Sequence, residues 1–259
     1  LQKGAGTMQW AKVGKGMVVV GSLPDILSRA KIRHEIMVEH GLQCIRRIDG
    51  QNITYFIANR GSESIDGMVI LENKIGSAVL FNPMTGNYGK AKTTTSDKFG
   101  EVYLQLKPGE SCLVHVFPGK VDAPDYVYQK AAGDAIHLNS DWDLTFVTGG
   151  PALPAPVKLT ALGSWTELGE AYKAFSGTAV YKTSFAKPNG KATVYRLDLG
   201  KVAHSARVIL NGKELATLIC APYTVDIPVS EMNAENTLEI AVTNLMGNRI
   251  ADMERKGQP

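Results

Sequence analysis

The chain has 259 residues, 44% of them apolar and 20% charged, with 28 basic against 25 acidic side chains and a net charge of +3. This composition suits a folded chain with two cores of about 100 to 130 residues each, and it excludes one dominated by disorder. The basic residues are scattered rather than gathered into a stripe, which argues against nucleic acid as a partner, and no apolar run reaches the roughly 18 residues of a membrane-spanning helix.

The chain opens on Leu1-Gln2-Lys3-Gly4, without the basic and then apolar pattern of an export signal, so either a mature product or an excised piece starts here. Gly14-Lys15-Gly16 precedes the apolar run Met17 to Val20, and Ser22-Leu23-Pro24-Asp25 reads as a capping box opening a helix to about Ala30. A lone strand and helix cannot bury their own faces. Residues 1–31 are therefore expected to dock on the following domain or to be the remnant of a preceding α/β domain. Neither Gly4-Ala5-Gly6 nor Gly14-Lys15-Gly16 completes a nucleotide-binding fingerprint.

From Leu42 the pattern turns to β. Leu42 to Asp49 and Ile53 to Asn59 flank the hairpin signal Asp49-Gly50-Gln51-Asn52, and Met68 to Glu72, Val79 to Phe81, Glu101 to Leu106 and Ser111 to Phe117 follow. In Glu101 to Lys107, Val102, Leu104 and Leu106 point to one side and the polar residues to the other, which is a half-buried antiparallel strand. A β-sandwich over residues 32–120 is expected, followed by a polar linker over 121–134 that carries Pro124 and Gly133.

A second domain is expected over 135–259, opening with a strand at Trp142 to Val147. Further strands are expected near Val157 to Leu159, Ala179 to Phe185, Thr193 to Leu199, Ala206 to Leu210, Tyr223 to Ile227 and Thr237 to Val242. Cys44, Cys112 and Cys220 lie in apolar runs without metal-ligand spacing, and buried free thiols are the expectation.

Catalytic signals are weak. A glycosidase holds two carboxylates across a sugar ring, but Asp122, Asp125, Asp141, Asp143, Glu167, Glu170 and Asp252 show no paired spacing. Gly61-Ser62-Glu63-Ser64 lacks the second glycine of a nucleophile elbow, and the five histidines form no ligand cluster. Flat side chains that can stack on sugar rings include Trp165 and Tyr223, for which packing inside a sandwich is the competing use.

The motifs together carry a family resemblance. Arg46-Arg47-Ile48-Asp49-Gly50-Gln51-Asn52-Ile53-Thr54-Tyr55-Phe56, Leu80-Phe81-Asn82-Pro83-Met84-Thr85-Gly86 and Leu104-Gln105-Leu106-Lys107-Pro108-Gly109-Glu110-Ser111 resemble the region after the catalytic barrel in family-106 glycoside hydrolases, the α-L-rhamnosidase-like family. Trp165, Phe175-Ser176-Gly177, Leu197-Asp198-Leu199-Gly200, Leu210-Asn211-Gly212-Lys213, Pro222-Tyr223 and Asn236-Thr237-Leu238-Glu239-Ile240 resemble its closing galactose-binding-like jelly roll, which is also similar to the sugar-binding domain of family-2 enzymes.

The resemblance implies an all-β chain of two antiparallel β-sandwich domains, the second a galactose-binding-like jelly roll. It implies the non-catalytic end of a secreted or periplasmic polysaccharide-degrading enzyme, with a catalytic domain upstream in the same polypeptide and glycan as the partner. None of the family's catalytic acids is carried over. Asn244, Asn248, Arg249 and Asp252 lie in what resembles the closing segment. With Trp165 and Tyr223 they are the candidate carbohydrate-binding residues, although knitting a loop is the other use of such groups. No cofactor is implied. A structural calcium is compatible with jelly rolls of this kind, but no oxygen-rich ligand run marks one. Two other readings stand beside this one: an independent carbohydrate-binding module, and a self-contained glycosidase with its acids at a domain interface.

Overall fold

The computed structural model describes residues 2–3, 8–30, 32, 34–97, 99–138 and 141–258; Gly4-Ala5-Gly6 and the boundary residue Lys31 lie outside them. The chain divides into two compact units, Leu1–Gln129 and Lys130–Pro259. Both are built from antiparallel sheets around an apolar core, so the protein is all-β, as expected.

Unit 1 opens with a small sheet of β1 (Gln2–Lys3), β2 (Gln9–Val13) and β3 (Gly16–Val20), followed by α1 (Leu23–Arg29). The expected lone strand is thus one arm of a hairpin, turned at Gly14 with φ +57°. Ser22 caps α1 by accepting from the Asp25 amide, and Trp10 carries the Arg29 guanidinium over its ring at 4.1 Å. None of the α1 residues is buried, and Val13, Val18, Val20 and Leu23 are exposed.

The sandwich of unit 1 follows in two sheets. One has the order β4 (Leu42–Asp49), β5 (Asn52–Asn59), β11 (Ser111–Phe117), β7 (Ser77–Phe81), β8 (Tyr88–Lys90). The other has β6 (Ile65–Leu71), β10 (Gly100–Leu106), β9 (Thr93–Thr95). Alternate residues enter the core: Tyr55 and Ile57 from β5, Val102, Leu104 and Leu106 from β10, Cys112, Val114 and Val116 from β11. Segment 118–129 is not merely a connector. Tyr126 and Tyr128 pack on this core, and the Tyr128 hydroxyl donates to the Tyr103 carbonyl.

Unit 2 has a six-stranded sheet in the order β13 (Val157–Leu159), β12 (Trp142–Gly150), β14 (Ser176–Ala186), β19 (Glu235–Thr243), β16 (Ser205–Leu210), β17 (Lys213–Leu218), and a pair, β15 (Val194–Asp198) with β18 (Thr224–Pro228). A short helix α2 (Glu170–Lys173) precedes β14, and α3 (Gly247–Arg255) ends the chain. Strand β17 and helix α3 were not expected. The Asn211-Gly212 turn, with both residues at positive φ, joins β16 to β17. The Cys220 thiol is exposed rather than buried, because it follows the end of β17 in a loop.

Candidate functional site

The loops at one end of the six-stranded sheet bring together most of the singled-out residues. Strands β12 and β14 meet there with Gly149 opposite Gly177 and Gly150 opposite Ser176. The backbones lie so close that a Cβ on Gly177 would overlap the Thr148 carbonyl. After β19, Asn244 continues the pairing with its side chain: Oδ1 accepts from the Gly177 amide at 2.7 Å and Nδ2 donates to the Phe175 carbonyl at 3.1 Å. Asn248 Nδ2 donates to the same carbonyl at 3.4 Å, and the Arg249 amide donates to Ser176 Oγ at 3.1 Å. The Arg249 guanidinium lies where Gly150 lacks a side chain.

Asp252 is buried on α3, bonded by Lys256 Nζ at 2.7 Å and Arg255 at 3.3 Å. The Lys256 hydrogen bond holds its carboxyl below the ordinary carboxylate value. Tyr223 joins the same end from the loop before β18, its hydroxyl donating to the His204 carbonyl at 2.6 Å, while the His204 amide donates to Thr243. Ile219, Leu245 and Met246 are exposed in these loops.

Trp165 sits behind this end as a plug. Only 6% of it is exposed, its ring is stacked on Tyr181 at 6.5 Å, and it meets Phe146 and Phe175 edge to face. Tyr223 is 9% exposed. Neither ring offers a free face, so both pack. Chemically, the end is a knot of amide and carbonyl groups that satisfy one another. The missed members, Ser176 and the glycine pair, had one trace in the sequence: Gly149-Gly150-Pro151 marks a loop, but its partners Gly177 and Ser176 lie far along the chain on another strand.

Three of the other candidate acids are engaged in ion pairs. Asp143 pairs with Lys158 at 2.8 Å, Asp125 with Lys90 at 3.2 Å, and Glu170 with Arg255 at 3.7 Å. A groove of about 320 Å³ opens in unit 1 beside β6, lined by Ile36, Met37, His40, Ile65 and Met68. Its one acid, Asp66, accepts from Tyr103 and Gln105 and is held below its ordinary value by them, the reverse of what a general acid needs. Unit 1 also buries Glu35, whose carboxylate accepts from Arg46 at 2.8 Å, the Tyr55 hydroxyl at 3.1 Å and the Glu72 amide at 2.9 Å. No local pattern marks that cluster, because Glu35, Arg46, Tyr55 and Glu72 meet only through the fold. Among the described residues no group of three or more His, Cys, Asp or Glu could hold a metal ion, and no helix is long and apolar enough to cross a membrane.

No protein-family profile matches the chain. A curated protein of Formosa agariphila named "Putative beta-glucuronidase" is 35% identical over 174 residues, 60% of this chain and 15% of that protein. The chain is related to glycoside hydrolases. Its fold recurs in the structure of a rhamnosidase from Novosphingobium sp. PP1Y, with a TM-score of 0.69 at 23% identity, over 96% of this chain and 24% of that one. A β-glucuronidase of Bifidobacterium dentium superposes on 41% of the chain with a TM-score of only 0.34. The chain thus spans 15% to 24% of the length of the first two.

Proposed function

We propose that this chain is the non-catalytic, C-terminal part of a longer, exported glycoside hydrolase of α-L-rhamnosidase type, and that its second unit is a galactose-binding-like jelly roll with an architectural role. The observation that carries this reading is the loop end of unit 2. A jelly roll that held sugar there would aim free aromatic faces and amides outward, whereas Trp165 is sealed in the core and Asn244, Asn248 and Ser176 are spent on the chain itself. On this reading Trp165, Tyr223, Asn244, Asn248, Arg249 and Asp252 hold the end of the sandwich in shape, and glycan is bound by the parent enzyme.

The test combines turnover and binding. Purified protein should release no nitrophenol from aryl rhamnosides or aryl glucuronides, and tryptophan emission should stay unchanged when rhamnose- or glucuronate-containing oligosaccharides are titrated in. Turnover would establish a self-contained glycosidase. Saturable emission change with one oligosaccharide class would establish a carbohydrate-binding module instead.

A further inference from the structure

Strand β6 stands at the end of its three-stranded sheet, paired with β10 on one side only. The bonds of its neighbours fix which backbone groups are left over. The Tyr103 amide on β10 donates to the Lys92 carbonyl at 2.9 Å, so the Tyr103 backbone faces β9. Met68 stands opposite Tyr103, Ile70 opposite Glu101 and Asp66 opposite Gln105. Successive residues of an antiparallel ladder turn their N–H and C=O to opposite sides. The backbone groups of Asp66, Met68 and Ile70 therefore point away from β10. The Glu72 amide, in the same phase, is taken by Glu35 Oε2 at 2.9 Å, a carboxylate oxygen standing where a next strand would offer a carbonyl. Among the described residues nothing bonds the edge-facing amides of Asp66, Met68 and Ile70.

The groove of about 320 Å³ follows this edge: Ser64 to Ile70 line it in unbroken succession, with Ile36, Met37 and His40 from the 3-10 turn Ile36–His40. It has room at the strand itself, since a Cβ on Gly67 would meet nothing within 4 Å. The one charge on β6, Asp66, is held by Tyr103 and Gln105. An open strand edge that is apolar and unguarded by free charge is a template for another strand.

We propose that the edge of β6 takes an extended segment of the same polypeptide, from outside these 259 residues, as a fourth strand of the sheet. The proposal rests on the reading of the chain as part of a longer enzyme, and it names one place where the rest is held. Hydrogen-bonding groups repeating at strand spacing select an extended backbone as the occupant. The residue opposite Gly67 shares its face of the sheet, so an apolar side chain there enters the groove beside Met37 and Ile65. The same sandwich closes another edge in this way. Lys90, at the end of β8, donates to the Pro124 carbonyl at 2.6 Å and accepts from the Tyr126 amide at 2.9 Å, so a later stretch of the chain serves as the next strand.

Size selects the same polypeptide as the source. Asp66 to Ile70 spans about 13 Å, enough to pair about five residues. Free partners that stay together contribute about 20–30 residues a side. A covalently linked segment needs far less, because the link supplies a high effective concentration. The related proteins have chain to spare for it, since this one spans 24% of one and 15% of the other.

Hydrogen exchange read residue by residue by mass spectrometry tests this on the 259-residue protein and on the complete product of its gene. The Met68 and Ile70 amides should exchange fast in the first and about tenfold or more slower in the second. Those of Val69 and Leu71, which face β10, should be slow in both. Met68→Pro removes an amide that faces only the edge, a position where a strand accepts proline. It should leave the melting temperature of the 259-residue protein unchanged, lower that of the complete product and return its Ile70 amide to fast exchange. Gly67→Leu, which fills the groove, should do the same, and it carries the test alone if the proline unfolds the strand.

Equal exchange in the two proteins overturns the added strand while leaving the longer-enzyme reading intact. Slow exchange already present in the 259-residue protein overturns it as well, in favour of a second copy where the slowing grows with concentration. Slow exchange in the complete product that survives both substitutions overturns it too, since a surface then covers the edge without pairing to it. A gene product no longer than this chain removes the underlying reading itself.

Discussion

Tyr55 and Tyr181 show how burial turns single residues into pH-sensitive parts of the fold. Burial first, and the Glu35 carboxylate second, push the Tyr55 hydroxyl from 10.0 up to about 12, and burial alone pushes Tyr181 to about 12. The folded value exceeds the unfolded one, so the fold favours the neutral phenol. Its stabilisation is complete below pH 10 and is lost as the pH rises toward about 12, because the unfolded chain releases its proton first. Urea midpoints measured across this range should fall on the alkaline side, and Tyr181→Phe should make the fall shallower; an unchanged slope would contradict the assignment. The same residue scale shows why Trp165 was ambiguous. A Ser-capped Trp in a Gly-bounded loop fits a sugar platform and a core plug equally, and only the rings of Phe146, Phe175 and Tyr181, distant in sequence, distinguish them.

At the scale of elements, alternation did most of the predicting. Val102, Leu104 and Leu106 on β10, expected to point inward from their period of two, are buried, and on the expected strand β19 Leu238 and Ile240 are buried with the same period. Short elements without alternation escaped. Strand β9 is Thr93–Thr95, with no apolar side to read, and β17 carries Lys213 and Glu214 in its first turn of pairing. Helix α3 carries no start signal, because Asn244 to Asn248 is turn-like and Met246 at its N-cap makes no side-chain cap bond. Its helix is held by what precedes it, through Asn248 and the Arg249 amide on Phe175 and Ser176.

The close approach of β12 and β14 gives the element-scale prediction. In Gly177→Ala the new methyl group meets the Thr148 carbonyl and Gly149 Cα. The strands must separate, at a cost of about 1–3 kcal/mol, measured by chemical denaturation. Gly86→Ala, where the sequence also demands a turn but nothing lies within 4 Å of a Cβ, should leave β12 and β14 undisturbed, as judged by hydrogen exchange.

At the scale of the whole molecule, each unit has a core of its own, with Tyr55, Leu71 and Leu104 in one and Trp142, Phe175 and Leu238 in the other. Scanning calorimetry of the protein should therefore resolve two transitions, and residues 130–259 made alone should retain one of them; a single transition lost entirely on cutting would refute this. The sequence by itself determined that the chain is all-β, that two sandwiches share its length, and which side of β10 is buried. Those facts are written in neighbouring residues, through a period of two and through local turn chemistry. The tertiary structure alone decided that Trp165 is sealed, that Asn244 stitches β19 to β14, and that Ile45, Phe56, Leu113, Phe81 and Tyr88 form one strip. Strand register brings such residues together across tens of positions, and no local pattern encodes the register.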